Sequence, residues 1–192
     1  MSEPASLVLQ CRIAPDPLAQ CLALREPRAS GWTDWDRLDV TLAPHEIADL
    51  DLRTGATTAD FLRRMRASAE RPADWLCAYD APGQTLTIGQ TLFSDNWLTI
   101  VAVLSVLRRL GNFIAPEQAP GIILVQDWIF GQRGTMAAVS LLAGGSAILA
   151  PESLDHDAES FTAHILTPVR DAVSAGHPGP VRDDLDMLIG QN

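Results

Sequence analysis

Lysine is absent from this chain: all fourteen of its basic residues are arginine. That excludes each chemistry that depends on a lysine amine, namely Schiff-base formation, a pyridoxal anchor and a phosphate-loop lysine. Cysteine is scarce as well. Cys11, Cys21 and Cys77 are an odd number with no CxxC spacing, each set among apolar residues. They read as small hydrophobes rather than a disulfide framework, which points to a reducing compartment. No apolar run reaches the ~20 residues of a membrane-spanning helix. The opening MSEPASLVLQ has no basic segment ahead of an apolar one, so no signal peptide is read there and a cytoplasmic protein is expected. The motifs of catalysis are missing too: there is no GxSxG elbow, HExxH, GxGxxG or acid-rich calcium loop.

Positive charge is in short supply overall. Against the fourteen arginines stand 24 acidic residues, for a net charge of −10. A phosphate backbone or an anionic membrane is therefore a disfavoured partner, and a basic protein surface a favoured one. With 192 residues and 47% hydrophobic composition the chain is long and apolar enough for one well-buried core.

What is present is organised around Asp95 to Phe113, DNWLTIVAVLSVLRRLGNF. Between Trp97 and Leu107 only Thr99 and Ser105 are polar, so a helix here is apolar almost all round and belongs inside a core. Ser94 and Asp95 are placed to cap its first amides, Arg108 and Arg109 suit its C-terminal end, and Gly111 suits a left-handed terminating residue.

Along the chain, Ser6–Ile13 reads as a strand and Pro17–Arg25 as a short helix. The alternation of Leu38, Val40 and Leu42 predicts a half-buried strand, and Pro44 opens a helical turn. Thr57 and Thr58 can cap a helix over 59–70 with Phe61, Leu62 and Met65 on its buried stripe. A hairpin follows, Trp75–Tyr79 and Gln84–Phe93 about the Pro82-Gly83 turn, with Leu86, Ile88 and Leu92 facing one way and Thr85, Thr87 and Thr91 the other. After the central helix, Gly121–Phe130 reads as a strand, and Gly131 and Gly134 bracket a turn. Thr135–Leu142 reads as a strand, with helix a rival because of its alanines, and Gly144-Gly145 turns the chain into Ser146–Ala150. A helix is predicted over 157–173, with Phe161, Ile165, Val169 and Val173 on one face and Pro168 expected to kink or shorten it. Residues 181–192 form either a short acidic helix or a loose tail. The fold class is α+β, a mainly antiparallel sheet packed around the 95–113 helix. Residues 1–55 form an N-terminal elaboration of strand, helix and strand, 56–175 the core domain and 176–192 an acidic C-terminal tail. Whether 1–55 join the main sheet stays open.

Few residues suggest chemistry. His156 and His164 lie two helical turns apart, about 12 Å, too far to share a metal. His45 and His177 are scattered. Neither a metal nor a cofactor is expected. Asp80, Asp95 and Asp127, at or near element ends, are the first suspects were the chain an enzyme, but no nucleophile, base and orienting group can be named together. Gly144-Gly145-Ser146 reads as a turn, and Arg63, Arg64 and Arg66 as a solvated helix face. Trp32, Asp34, Trp35 and Asp36 form the most distinctive cluster. Tryptophan is enriched at interface hot spots and paired acids can receive arginines, so this is the candidate partner-binding site. The alternative has both tryptophans filling core space while the aspartates shape a turn.

From Ala59 to Val173 the order is helix, two strands, long apolar helix, three strands, helix, with WLCAYDAPGQTLTIGQ as the hairpin and NWLTIVAVLSVLRRL as the long helix. This order resembles the roadblock family of dynein light chains and GTPase regulators. The resemblance implies a non-enzymatic homodimer that regulates a small GTPase or serves as an adaptor. Small, acidic α+β chains without catalytic motifs also resemble bacterial immunity proteins, which bind and block a toxin, and secretion chaperones share the profile. The expected function is therefore a protein-binding regulator or adaptor, with an immunity-type inhibitor of a basic toxin next, and a secretion chaperone or a small-molecule enzyme behind both.

Overall fold

The computed structural model describes residues 5–38, 40–51, 56–127, 134–150 and 157–190. Its centre is a six-stranded sheet, β1 (Ala5–Arg12), β2 (Trp75–Asp80), β3 (Thr85–Ser94), β4 (Gly121–Asp127), β5 (Gly134–Leu142) and β6 (Gly145–Ile148). The strand order is β2-β3-β1-β4-β5-β6 and each neighbouring pair is antiparallel. The α+β class read from the sequence holds. The first strand lies in the middle of the sheet, with Leu9 opposite Ile88 of β3 on one side and Ile123 of β4 on the other.

Helices cover both faces. Leu7, Leu9 and Cys11 of β1 point into the larger core. There they meet α1 (Pro15–Ala23), α2 (Pro44–Asp51), α3 (Thr58–Ser68) and α4 (Trp97–Leu107). Val8 points to the opposite face, where Ile165, Leu166 and Val169 of α5 (Asp157–Ser174) close a smaller core with Leu76. A strand buried on both faces needs apolar residues without alternation, which is why Leu7, Val8 and Leu9 run unbroken up to Gln10.

Local signals explain most boundaries. Thr57 caps α3 through a reciprocal box with Asp60, the threonine hydroxyl accepting the Asp60 amide and the aspartate accepting the Thr57 amide. The cap of α4 is Asn96, whose Oδ1 accepts the amides of Leu98 and Thr99, rather than Ser94 and Asp95. Ser94 instead accepts the Asn96 amide and fixes the entry to that cap. After Leu107 the helix tightens into a 3-10 run over Arg108–Phe113. Gly111 is not left-handed, as expected of a terminator, but serves close approach. A Cβ at this position would stand 1.8 Å from the Gly145 carbonyl oxygen of β6.

Other expectations are corrected. Among the described residues of the expected strand, 38 and 40–42, none is in a strand. The Val40 amide turns back onto the Leu38 carbonyl at 2.7 Å, a tight turn that a ladder does not accommodate, while Leu38 is still buried. Leu92 does not continue the apolar face of Leu86 and Ile88. The register of β1 against β3 shifts here and Leu92 takes a φ of 51°, so a bulge reorients the strand end. Thr135–Leu142 is strand, not helix. Helix α5 runs unbroken through Pro168, and the carbonyl that loses its donor belongs to the exposed His164. The turn expected at Gly131 and the strand end at 128–130 lie outside the described residues.

Both sheet edges are covered. On β2, Cys77 exchanges backbone bonds with Arg182 and Asp184, and Tyr79 donates its amide to the Asp184 carboxylate. The chain then enters α6 (Leu185–Ile189), which buries Leu185 and Leu188 in the larger core. On β6, Ile148 donates its amide to Asp34 and accepts from the Arg37 guanidinium.

Candidate functional site

The Trp32–Asp36 cluster closes around one arginine. Arg108 sits at the end of α4 with a side chain that is 1% exposed. Its Nη2 donates to both oxygens of Asp34, 2.8 Å to each, and its Nε donates to Ser146 at 3.0 Å. The guanidinium lies 4.4 Å from the ring centre of Trp32 and 5.1 Å from that of Trp35, a cation held between two aromatic faces. Both indoles are tied down in turn, Trp35 Nε1 to the Ala29 carbonyl at 2.9 Å and Trp32 Nε1 to the Ser105 carbonyl at 3.1 Å. The arginine that such acids could receive from a partner is supplied within the chain. Of the four candidate residues, Trp35 is buried, Trp32 and Asp34 are half-buried, and only Asp36 is exposed.

Burial alone would raise the Asp34 carboxyl, but the Ile148 amide and the Arg108 guanidinium hold it below the usual carboxylate range. Arg108 is itself pushed down by burial, which Asp34 opposes. Asp34 thus satisfies an edge strand and an otherwise buried cation together.

The enzyme suspects do not converge. Asp80 and Asp95 lie beyond opposite ends of β3, Asp80 accepting the Gly83 amide in the hairpin turn, and the side chain of Asp127 is outside the described ones. His156 is also outside the described residues, His45 and His164 are exposed, and His177 bonds within its own loop. No group of three or more metal-binding side chains is present among the described residues. Cys11, Cys21 and Cys77 are free and buried, and burial pushes each thiol up to about 12, far from the thiolate a nucleophile needs.

A separate concavity lies elsewhere. A groove of about 600 Å³ opens between α3 and α4, beside α2. Buried Met65, Val103 and Val106 form its floor, and half-buried Phe61, Phe93 and Leu98 its walls. α4 lines it from Leu98 to Val106, about 12 Å of helix at 1.5 Å per residue. At its mouth the Glu26 carboxylate, 5% exposed, receives Arg64, whose guanidinium also stands 5.5 Å from the Phe61 ring centre. Ser105, which also lines the groove, holds Trp32 by its carbonyl, so the arginine-centred cluster backs the groove rather than opening a second one. Sequence reasoning did not find this groove. Phe61 and Met65 were legible as the buried stripe of α3, but the gap between α3 and α4 depends on how the two helices are set against each other.

Compared with known proteins, no family model, no curated protein and no solved structure matches the chain. No helix among the described residues is long and apolar enough to cross a membrane.

Proposed function

We propose that this chain is a non-enzymatic, cytoplasmic protein-binding regulator or adaptor whose groove between α3 and α4 receives an amphipathic helix of its partner. The observation that carries the reading is the groove itself. It is apolar, open to solvent, and as long as two turns of helix, which suits side chains at i, i+3 or i+4 and i+7. Phe61, Phe93 and Leu98 are half-buried, so each has apolar surface left to lose on binding, at about 25 cal/mol per Å². The Glu26–Arg64 pair at the mouth gives a polar rim and a directional contact. A small GTPase is the partner that the resemblance of element order implies.

The net charge of −10 favours a second reading, an immunity-type inhibitor of a basic toxin, since long-range attraction of opposite charges speeds such encounters. A photo-crosslinking amino acid placed at Phe93 in the native host tests both. One discrete protein adduct, lost when Ala102→Glu obstructs the groove, is the expected result, and a GTPase or a toxin in that adduct separates the two readings. An unchanged adduct in the Ala102→Glu protein, or none beyond that at an exposed control such as Val181, would count against the groove as the interface.

A further inference from the structure

Between α5 and α6 the chain passes around the outer edge of β2, from the smaller core on one face of the sheet to the larger core on the other. Helix α5 is closed by Gly176, which takes a φ of 68° while the His177 amide returns to the Ala172 carbonyl at 2.9 Å. The link that follows is nearly detached. Residues 175–178 are exposed, Pro178 and Pro180 have no amide to donate, and the His177 ring bonds to Gly179 within the loop. Among the described residues, none of 178–181 hydrogen-bonds outside this loop.

Attachment begins at Arg182 and is dense from there. Its carbonyl accepts the Cys77 amide at 2.9 Å and the Asp184 amide donates to the Cys77 carbonyl at 2.8 Å, a parallel backbone pairing one residue deep. At the next outward position of β2, side chains stand in for a strand. The Asp184 carboxylate accepts the Tyr79 amide at 2.9 Å, and the Arg182 guanidinium donates to the Tyr79 carbonyl at 2.8 Å. Arg66 of α3 donates to Asp183 at 3.0 Å and to Asp186 at 2.9 Å, and Leu185 and Leu188 are buried. Residues 182–189 are therefore held as a bound peptide is, by a receptor made of the β2 edge, Arg66 and an apolar socket, while the link to α5 holds nothing.

We propose that residues 182–189 are an exchangeable arm, and that the β2 edge with Arg66 is the interface of a two-fold dimer in which each copy's arm closes the sheet of the other. A second copy is the occupant that the receptor fits, because exchange keeps every contact of the arm and alters only the link. A foreign peptide must match two acids to Arg66, fill the sites of two leucines and compete with a tethered arm. Pro178 and Pro180 hold an opened link extended, which lowers the entropy lost when the arm reaches across. The exchange is reciprocal, so the assembly closes at two copies and leaves no β2 edge bare.

Reversed charges test the exchange in the full chain. Arg66→Asp sets an acid against Asp183 and Asp186, and Asp183→Arg with Asp186→Arg sets two cations against Arg66. Either protein alone should hold its arm loosely, seen as faster hydrogen exchange of the Cys77 amide, while unchanged β1 amides show an intact core. Mixed one to one, they should form a dimer of twice the chain mass by light scattering, with the Cys77 amide protected again, because in the exchanged pair both sites bring opposite charges together. Removing residues 178–180 tests the exchange without touching the receptor. The link is then about 10 Å shorter and too short to return the arm to its own edge, so this chain should dimerise at a concentration roughly tenfold or more below the parent's. A mixture that stays monomeric with the Cys77 amide unprotected would overturn the proposal. So would a shortened chain that remains a monomer at millimolar concentration, or one that aggregates without a discrete dimer, since bare edges pair without closure.

Discussion

Arg108 donates one nitrogen to both carboxylate oxygens of Asp34, 2.8 Å to each, and the two residues stand 74 positions apart in the chain. The pair joins the end of the central helix to the loop that covers β6. Removing the acid leaves the guanidinium buried and uncompensated, so Asp34→Ala should lower stability by about 3 kcal/mol, read from urea unfolding. Arg108→Lys keeps the charge but loses the planar stack between Trp32 and Trp35, and should also destabilise.

The same contact sets an acid dependence. Asp34 has its folded pKa depressed, so the unfolded state takes up its proton first as pH falls. The stability it contributes is fully present above the unfolded value of about 4 and is lost as pH drops through the folded one. Unfolding midpoints of the parent chain and Asp34→Asn should therefore converge as pH falls below about 4. Parallel pH curves for the two would contradict the assignment.

Residues 182–184 close the outer edge of β2, and Leu185 and Leu188 anchor that closure. The double variant Leu185→Ala, Leu188→Ala removes two buried side chains at about 2–5 kcal/mol each, enough to release the segment. Exchange of the Cys77 and Tyr79 amides should then accelerate more than that of β1 amides, and the bared edge should promote self-association visible by light scattering.

All three thiols are buried and held near 12. A thiol reagent at neutral pH should label none of them in the native chain and all of them in denaturant. Labelling of Cys21 under native conditions would mean that α1 opens locally.

Gly111 marks where the end of α4 touches β6. Gly111→Ala places a methyl group where the Gly145 carbonyl now stands, so backbone must move. A loss of about 1–3 kcal/mol is expected, seen as a lower thermal midpoint.

Much of the fold could be read in the sequence because local chemistry decided it. Thr57 with Asp60 announces α3, Pro82-Gly83 the hairpin, and the run from Trp97 to Leu107 a buried helix. The alternation of Leu38, Val40 and Leu42 misled because it reports burial, not pairing, and those residues turn back on themselves with no strand beside them. The tryptophan–aspartate cluster stood out in the sequence. Its partner Arg108 was read only as a helix-end charge, since nothing local connects it with Asp34. The buried hydrogen bond from Thr91 to Asp74 was illegible for the same reason, as only the fold brings the turn before β2 onto β3.

A sheet whose first-made strand is its central one cannot be completed in the order of synthesis. β1 has no neighbour until β3 has been translated and has both only after β4. Until then an eight-residue strand, apolar on both sides, must be shielded by transient contacts, by α1 or by a chaperone. Closure of the sheet then requires pairing between segments remote in the chain, which slows folding relative to a helical protein of this size. The nascent chain, more than the finished one, is where this architecture is exposed to misassembly.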